Sequence, residues 1–253
     1  CVTSGVIMKN FWHQRIGRRA FLRWQVRGGL LVFSGLILGK PADLLASSTP
    51  DIALVKGTPE AGTRAAVELL GGIKAFVRKG QRVVIKPNMS FDQAPEHATT
   101  THPEVISALV KMCKEAKAAR IDVLDHPLRS AELSLEKCGI KQVCDVFKPD
   151  MARSVVVPER FKNTSVPEGK QLGSTDVMKT VLKADVLISA PVAKHHSSAG
   201  VSLSLKGMMG LIYNRGIFHW KYDLHTAIAD LCTLLKADLT VIDITRALTT
   251  NGP

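Results

Sequence analysis

The chain has 253 residues, 45% of them apolar, enough for one sizeable α/β domain or two small lobes. Its formal net charge is +12, but residues 1–50 hold seven basic side chains against Asp43 alone, which is half of that excess. The remaining positives are spread among acids with no long Lys/Arg block and few aromatics, which argues against a nucleic-acid interface.

The amino terminus reads as an export signal rather than as part of a domain. Arg18, Arg19, Ala20, Phe21, Leu22 and Arg23 match the twin-arginine pattern, with Gly17 where Ser or Thr is common. Gly28 to Gly39 follows as an apolar stretch too short to span a bilayer, and Lys40 to Ser48 adds a polar region with Ala46 as a cleavage point. Met8 reads as a start, which would place residues 1–7 upstream of it. Residues 1–48 are therefore expected to form a twin-arginine signal region and residues 49–253 an α/β domain. Periplasmic delivery by the export machinery follows, with membrane contact only through the leader.

Asp51 to Lys56 reads as a short strand and Thr63 to Leu70 as a helix ended by Gly71 and Gly72. A strand is expected over Arg82 to Lys86, where Pro87 turns the chain out of the sheet. Asn88 to Thr100 is then a polar loop, followed by a capping box at Thr101 to Glu104 and a helix carrying Val105, Leu109, Met112 and Ala116. Next come a strand at Ile121 to Asp125, a helix from Ser130 to Cys138, a strand near Ser154 to Val157 and a helix from Asp176 to Lys183. Asp185 to Val192 is a buried strand, Ser202 to Ile212 and Leu224 to Leu235 are helices, and Leu239 to Asp243 is the last strand. Alternating strands and helices indicate an α/β class with a mainly parallel sheet and helices on both faces.

Several of these strands end in polar clusters, which a parallel sheet places on one edge, where open α/β sheets bind ligands. Lys86 and Asn88 offer an ammonium and an amide for a carboxylate or phosphate, or else a solvated strand end and a turn former. Lys194, His195 and His196 end an apolar run; a histidine there suits a general base or a metal ligand, and adjacent histidines on an extended segment face opposite ways. Lys206 lies between Gly200, Gly207 and Gly210, whose small size lets backbone approach an anion. Asp125 and Asp243 are each the first acid after a strand, suited to metal binding, to orienting a neighbour or to capping. Cys113 reads as a packing residue, and a disulfide between Cys138 and Cys144 is conceivable after export.

The segments Val83 to Asn88 (VVIKPN), Thr100 to Glu104 (TTHPE), Asp185 to His196 (DVLISAPVAKHH), Leu203 to Leu211 (LSLKGMMGL) and Leu239 to Pro253 resemble those of the family called domain of unknown function 362. That resemblance favours Lys86 and Asn88 as site residues, and His196 over His195 through a Lys-x-His arrangement. Gly207 stands where the family often has Asn. Family members continue beyond the glycine-proline, so a truncated carboxyl end is expected. Some are twin-arginine exported and some carry iron-sulfur segments; this chain has no ferredoxin-type cysteine run, so a cluster would need the missing tail.

The expected function is a periplasmic enzyme acting on a small anionic substrate. His196 transfers a proton with Lys194 and Lys86 as catalytic partners, and Asn88, Lys206, Asp125 and Asp243 bind the substrate. The alternative is an exported ligand-binding or iron-sulfur-associated redox partner without catalysis of its own.

Overall fold

The computed structural model describes residues 49–252, so the twin-arginine segment lies outside the described residues. The central element is a five-stranded parallel sheet. From edge to edge it runs β3 (Ala152–Ser154), β2 (Arg120–Asp125), β1 (Arg82–Pro87), β6 (Val186–Ala190) and β9 (Leu239–Thr240). Ile85 of β1 registers with Val123 on one side and Ile188 on the other.

Central parallel strands are buried on both faces, which is why their sequences are continuous apolar runs. Val83, Ile85 and Ile188 face one cluster with Val105, Ile106 and Leu109 of the helix Pro103–Glu115. Val84 and Leu187 face the opposite cluster with Met208, Leu211, Phe218 and Leu231, the last from the helix Leu224–Leu234. Each Val, Leu or Ile fully buried in this way contributes about 1.5–3 kcal/mol.

After β1 the chain builds outward through β2 and β3, then returns to the other flank of β1 with β6 and β9. This reversal puts a topological switch point between β1 and β6, and ligands of open α/β sheets bind outside the carboxyl ends at such a point.

Two smaller sheets flank the first. β4 (Phe161–Ser165) and β5 (Ser174–Met178) form an antiparallel pair. β7 (Val192–His196) lies between the parallel β10 (Asp243–Leu248) and the antiparallel β8 (Gly200–Ser202).

Several sequence expectations are corrected. Asp51 to Lys56 forms no strand; Ile52 and Leu54 are 86% and 80% exposed, because apolar alternation supplies a side to bury but no backbone partner. The run from Asp185 is divided at Pro191, which has no N–H to continue the ladder, so Lys194 and His196 lie on a strand separate from Val186–Ala190. The Asp176 to Lys183 segment begins as the end of β5, where Val177 is β-branched, and its helix is shortened to Lys179–Leu182.

The Ser202 to Ile212 helix is reduced to Ser204–Gly207 and a 3₁₀ turn at Met208–Leu211, in keeping with the helix-weakening glycines at 207 and 210. The Ser154 to Val157 strand lies earlier, at Ala152–Ser154, where it pairs with β2. Leu239 to Asp243 splits into β9 and the start of β10. The cap of Pro103–Glu115 is His102, whose Nδ1 accepts from the Glu104 N–H at 3.2 Å, because the Thr101 hydroxyl is committed elsewhere. Cys138 and Cys144 are buried free thiols.

Candidate functional site

Lys86 ends the central strand inside the protein, 2% exposed, with Nζ 3.1 Å from Oδ1 of the fully buried Asp125. The same ammonium donates to the Pro87 carbonyl. Burial pulls the Lys86 pKa down while Asp125 opposes the shift. Asp125 is held in turn by the Met89 N–H at 2.9 Å, the Ser90 hydroxyl at 2.8 Å and the His126 N–H at 3.0 Å. A buried pair is tolerable only when its remaining valences are satisfied in this manner.

Directly against the pair lies Gly210. A Cβ there would stand 2.0 Å from Asp125 Oδ1 and 2.6 Å from Lys86 Cε, so the position must be glycine for close approach.

Polar bonds tie the end of β1 to the break between β6 and β7. The Asn88 N–H donates to Thr101 Oγ1 at 2.8 Å, that hydroxyl donates to the Ala190 carbonyl at 2.6 Å, and Asn88 Oδ1 accepts from the Val192 N–H at 2.9 Å. This bracket fixes where β7 departs, and with it the position of Lys194.

A cleft of about 440 Å³ opens at this end of the sheet. Lys86, Lys194, Lys206 and Arg215 line it, and no Asp or Glu is among its described lining residues. Lys194 is buried, donates to the Thr99 carbonyl at 3.0 Å and stands 4.5 Å above the Phe91 ring, a cation–π contact. Burial lowers its pKa to about 8, with Lys86 adding to the effect. Lys206 is half-buried and is likewise lowered to about 8, by burial and then by Arg215 and Lys86. Arg215 donates to the carbonyls of His126 and Pro127, which fixes its guanidinium at the wall.

His196 enters the cleft and His195 does not line it, as expected for alternate residues of a strand. His195 Nδ1 instead accepts from the Gly252 N–H at 3.1 Å. The Nδ1 of His196 accepts from the N–H groups of Ser198 and Ala199, both at 3.2 Å. Two donors on Nδ1 require a lone pair there, so the neutral ring carries its proton on Nε2. Burial and then Lys206 lower its pKa to about 4, which keeps the ring neutral near neutral pH. Its ring stacks on His219 at 6.0 Å and 9°. His196 is thus placed as an N–H donor through Nε2, an arrangement that favours hydrogen bonding over the proton transfer expected of it.

Asp125 and Asp243 do not line the cleft. Asp125 lies beneath the cleft as the Lys86 counterion. Asp243 accepts from the His102 N–H at 2.8 Å and from the Thr245 N–H and hydroxyl at 3.0 and 2.7 Å, a loop-fixing role outside the cleft. Arg215, His219, Ser202 and Tyr213 are lining residues that the sequence reading missed.

The described residues do not fit an iron-sulfur cluster. Cys113, Cys138 and Cys144 are spread through the core, Cys232 lies apart, and no group of three or more His, Cys, Asp and Glu side chains is suitably placed. A wider cleft of about 610 Å³ lies at the amino ends of β1 and β2. Arg82, Arg120, Arg160, Lys179 and Lys183 line it together with the carboxylates of Asp122 and Glu159, so unlike the first cleft its wall is of mixed charge.

The family model described as "Domain of unknown function (DUF362)" matches residues 83–253. The thylakoid-associated protein sll1697 of Synechocystis sp. is 23% identical over 204 residues, covering 78% of this chain and 62% of that protein. The chain therefore spans less than two thirds of this relative. Among solved structures, the lactate racemase apoprotein of Thermoanaerobacterium thermosaccharolyticum is similar with a TM-score of 0.50 at 16% identity, covering 74% of this chain and 49% of that one. A Thermotoga maritima protein gives 0.50 at 16% identity, covering 75% and 52%. These two likenesses concern the fold alone.

Proposed function

This chain belongs to the DUF362 family, and from that premise we propose that it is an exported enzyme performing acid–base chemistry on a small anionic substrate. The observation that carries the reading is the cleft outside β1, β6 and β7, where four cationic side chains line a wall with no carboxylate among its described residues.

Lys194 and Arg215 hold the anion, with Lys86 adding positive potential from below. Asn88 directs its Nδ2 to the substrate, since its Oδ1 is committed to Val192. The Nε2–H of His196 hydrogen-bonds the oxygen on which negative charge accumulates; fixed donors of this kind favour a transition state over a ground state.

Lys206 donates the proton. Its pKa of about 8 makes it a stronger acid than an ordinary lysine and keeps it protonated near neutral pH. Among the described residues it has no ion-pair partner to compete with this role.

Export rests on the Arg18–Arg19 motif and on the thylakoid association named for the relative. No helix of the described residues is long and apolar enough to cross a membrane.

The test is a panel of 2-hydroxy, 2-oxo and phosphorylated acids incubated with the protein in D₂O and followed by NMR. Turnover that survives in the parent and disappears in Lys206→Arg, with anion binding retained, supports the assignment, because Arg keeps the charge but cannot give up its proton. Unchanged turnover in that variant would remove Lys206 from the chemistry. Anion binding without any turnover would favour the second reading, a ligand-binding protein.

A further inference from the structure

We propose that this cleft selects a doubly charged anionic head, a phosphate monoester or a dicarboxylate, over a singly charged one, and that the head belongs to a larger organic molecule. The inference rests on the anion-binding reading above and deepens it.

The argument is one of charge balance. Of the cationic side chains in the wall, Lys86 alone has a carboxylate partner, Asp125. Lys194, Lys206 and Arg215 form no ion pair with any described residue. They lie near enough to feel one another: Lys86 and Lys206 both disfavour the charged form of Lys194, and Arg215 disfavours that of Lys206. A single negative charge would leave most of this repulsion in place, whereas a second charge relieves more of it in a site where low dielectric strengthens each interaction.

The neutral histidines add donors but no further charge. The Arg215 guanidinium is already oriented by two carbonyls, so it needs no rearrangement to receive the anion.

The size of the cleft points to more than the head group. About 440 Å³ lies within the range of sites that hold whole organic ligands. Phe91, Leu128, Met209 and Tyr213 give the rest of the wall apolar and aromatic surface, suited to a carbon skeleton beside the charged head.

Paired probes differing by one charge provide the test, using the 253-residue chain and titration calorimetry at about pH 7.5, where a phosphate monoester is mainly dianionic. Methyl phosphate is compared with dimethyl phosphate, and succinate with its monomethyl ester. We expect the dianion of at least one pair to bind at least about tenfold more tightly, and the pair that discriminates identifies the head group. Binding should also take up protons near pH 8, seen as a dependence of the heat on buffer ionisation, as Lys194 and Lys206 become fully protonated. In Lys194→Met the preference should fall to within about twofold. Should that variant not fold, the parent comparison decides alone. Equal affinity for both members of each pair would overturn the charge selection while leaving anion binding intact. Binding of none of the four probes would overturn the anion-binding reading itself.

Discussion

Gly210 and Asp125 approach so closely that a methyl group at position 210 would stand 2.0 Å from the Asp125 carboxylate oxygen. The obstacle is steric and falls on an ion pair that is itself immobile, since Lys86 and Asp125 are both buried. Gly210→Ala should therefore destabilise the protein by about 1–3 kcal/mol, the usual range for overpacking. It should also weaken anion binding, because Lys86 must be displaced. Chemical denaturation with parallel calorimetry checks both effects, and an unperturbed variant would show that the pair yields easily.

Asp125 should matter more when removed alone than when removed with its partner. Asp125→Ala leaves a buried lysine without its counterion, a loss of about 3–5 kcal/mol. Lys86→Met combined with Asp125→Leu should recover a substantial part of that loss. A double-mutant cycle from denaturation midpoints measures the coupling directly. Additive effects would mean that the two side chains act independently despite their 3.1 Å contact.

Lysines 194 and 206 give a definite sign to the pH dependence. Each has a pKa near 8 in the folded protein, against 10.5 for an ordinary lysine. The unfolded chain therefore binds more protons between those values, and the contribution of these groups to stability rises with pH across that window. Denaturation at a series of pH values should show the rise, flattened in Lys194→Met. Activity should move the other way: kcat/KM falls above about pH 8 as Lys206 and Lys194 lose the protons needed for acid catalysis and anion binding. A profile that climbs through pH 8 would instead make Lys206 a base.

His196 should remain neutral on Nδ1 and protonated on Nε2 at every pH above about 5. Nitrogen-15 NMR of the imidazole distinguishes the tautomers. A ring protonated on Nδ1, or one titrating near its ordinary value, would end its assignment as a fixed donor. Replacing it with Ala should lower kcat more than it raises KM, since the bond is argued to matter chiefly in the transition state.

The proposed export rests on Arg18 and Arg19. Changing Arg18 and Arg19 together to Lys should retain the protein inside the cell, as read by fractionation and immunoblotting. Normal delivery of the double variant would exclude the twin-arginine route.

The sheet was legible because its central strands are buried on both faces and so carry unbroken apolar runs, as at Val83–Ile85 and Val186–Ala190. Lys86 and Lys194 could be located from the ends of those runs. Arg215 and His219 could not, since Arg215 follows Ile212 in an irregular stretch and His219 ends the single 3₁₀ turn Gly216–His219, both too short to carry a helix or strand period that marks which side chains point inward. Asp243 was ambiguous for a simpler reason. An acid following a strand looks the same in sequence whether it faces a crevice or binds its own loop, and only the bonds to His102 and Thr245 separate the cases. The tautomer of His196 was equally hidden, because two backbone N–H groups decide which of its nitrogens holds the proton.

The departure of the chain at Pro191 has a kinetic corollary. The strand that follows it is laddered along both edges, to Asp243–Leu248 and to Gly200–Ser202, and so cannot swing as a flap. Lys194 is thus held at a fixed address, ready for the proposed anion. Encounter should be a single step whose rate follows ionic strength, with no slow phase of closure after it.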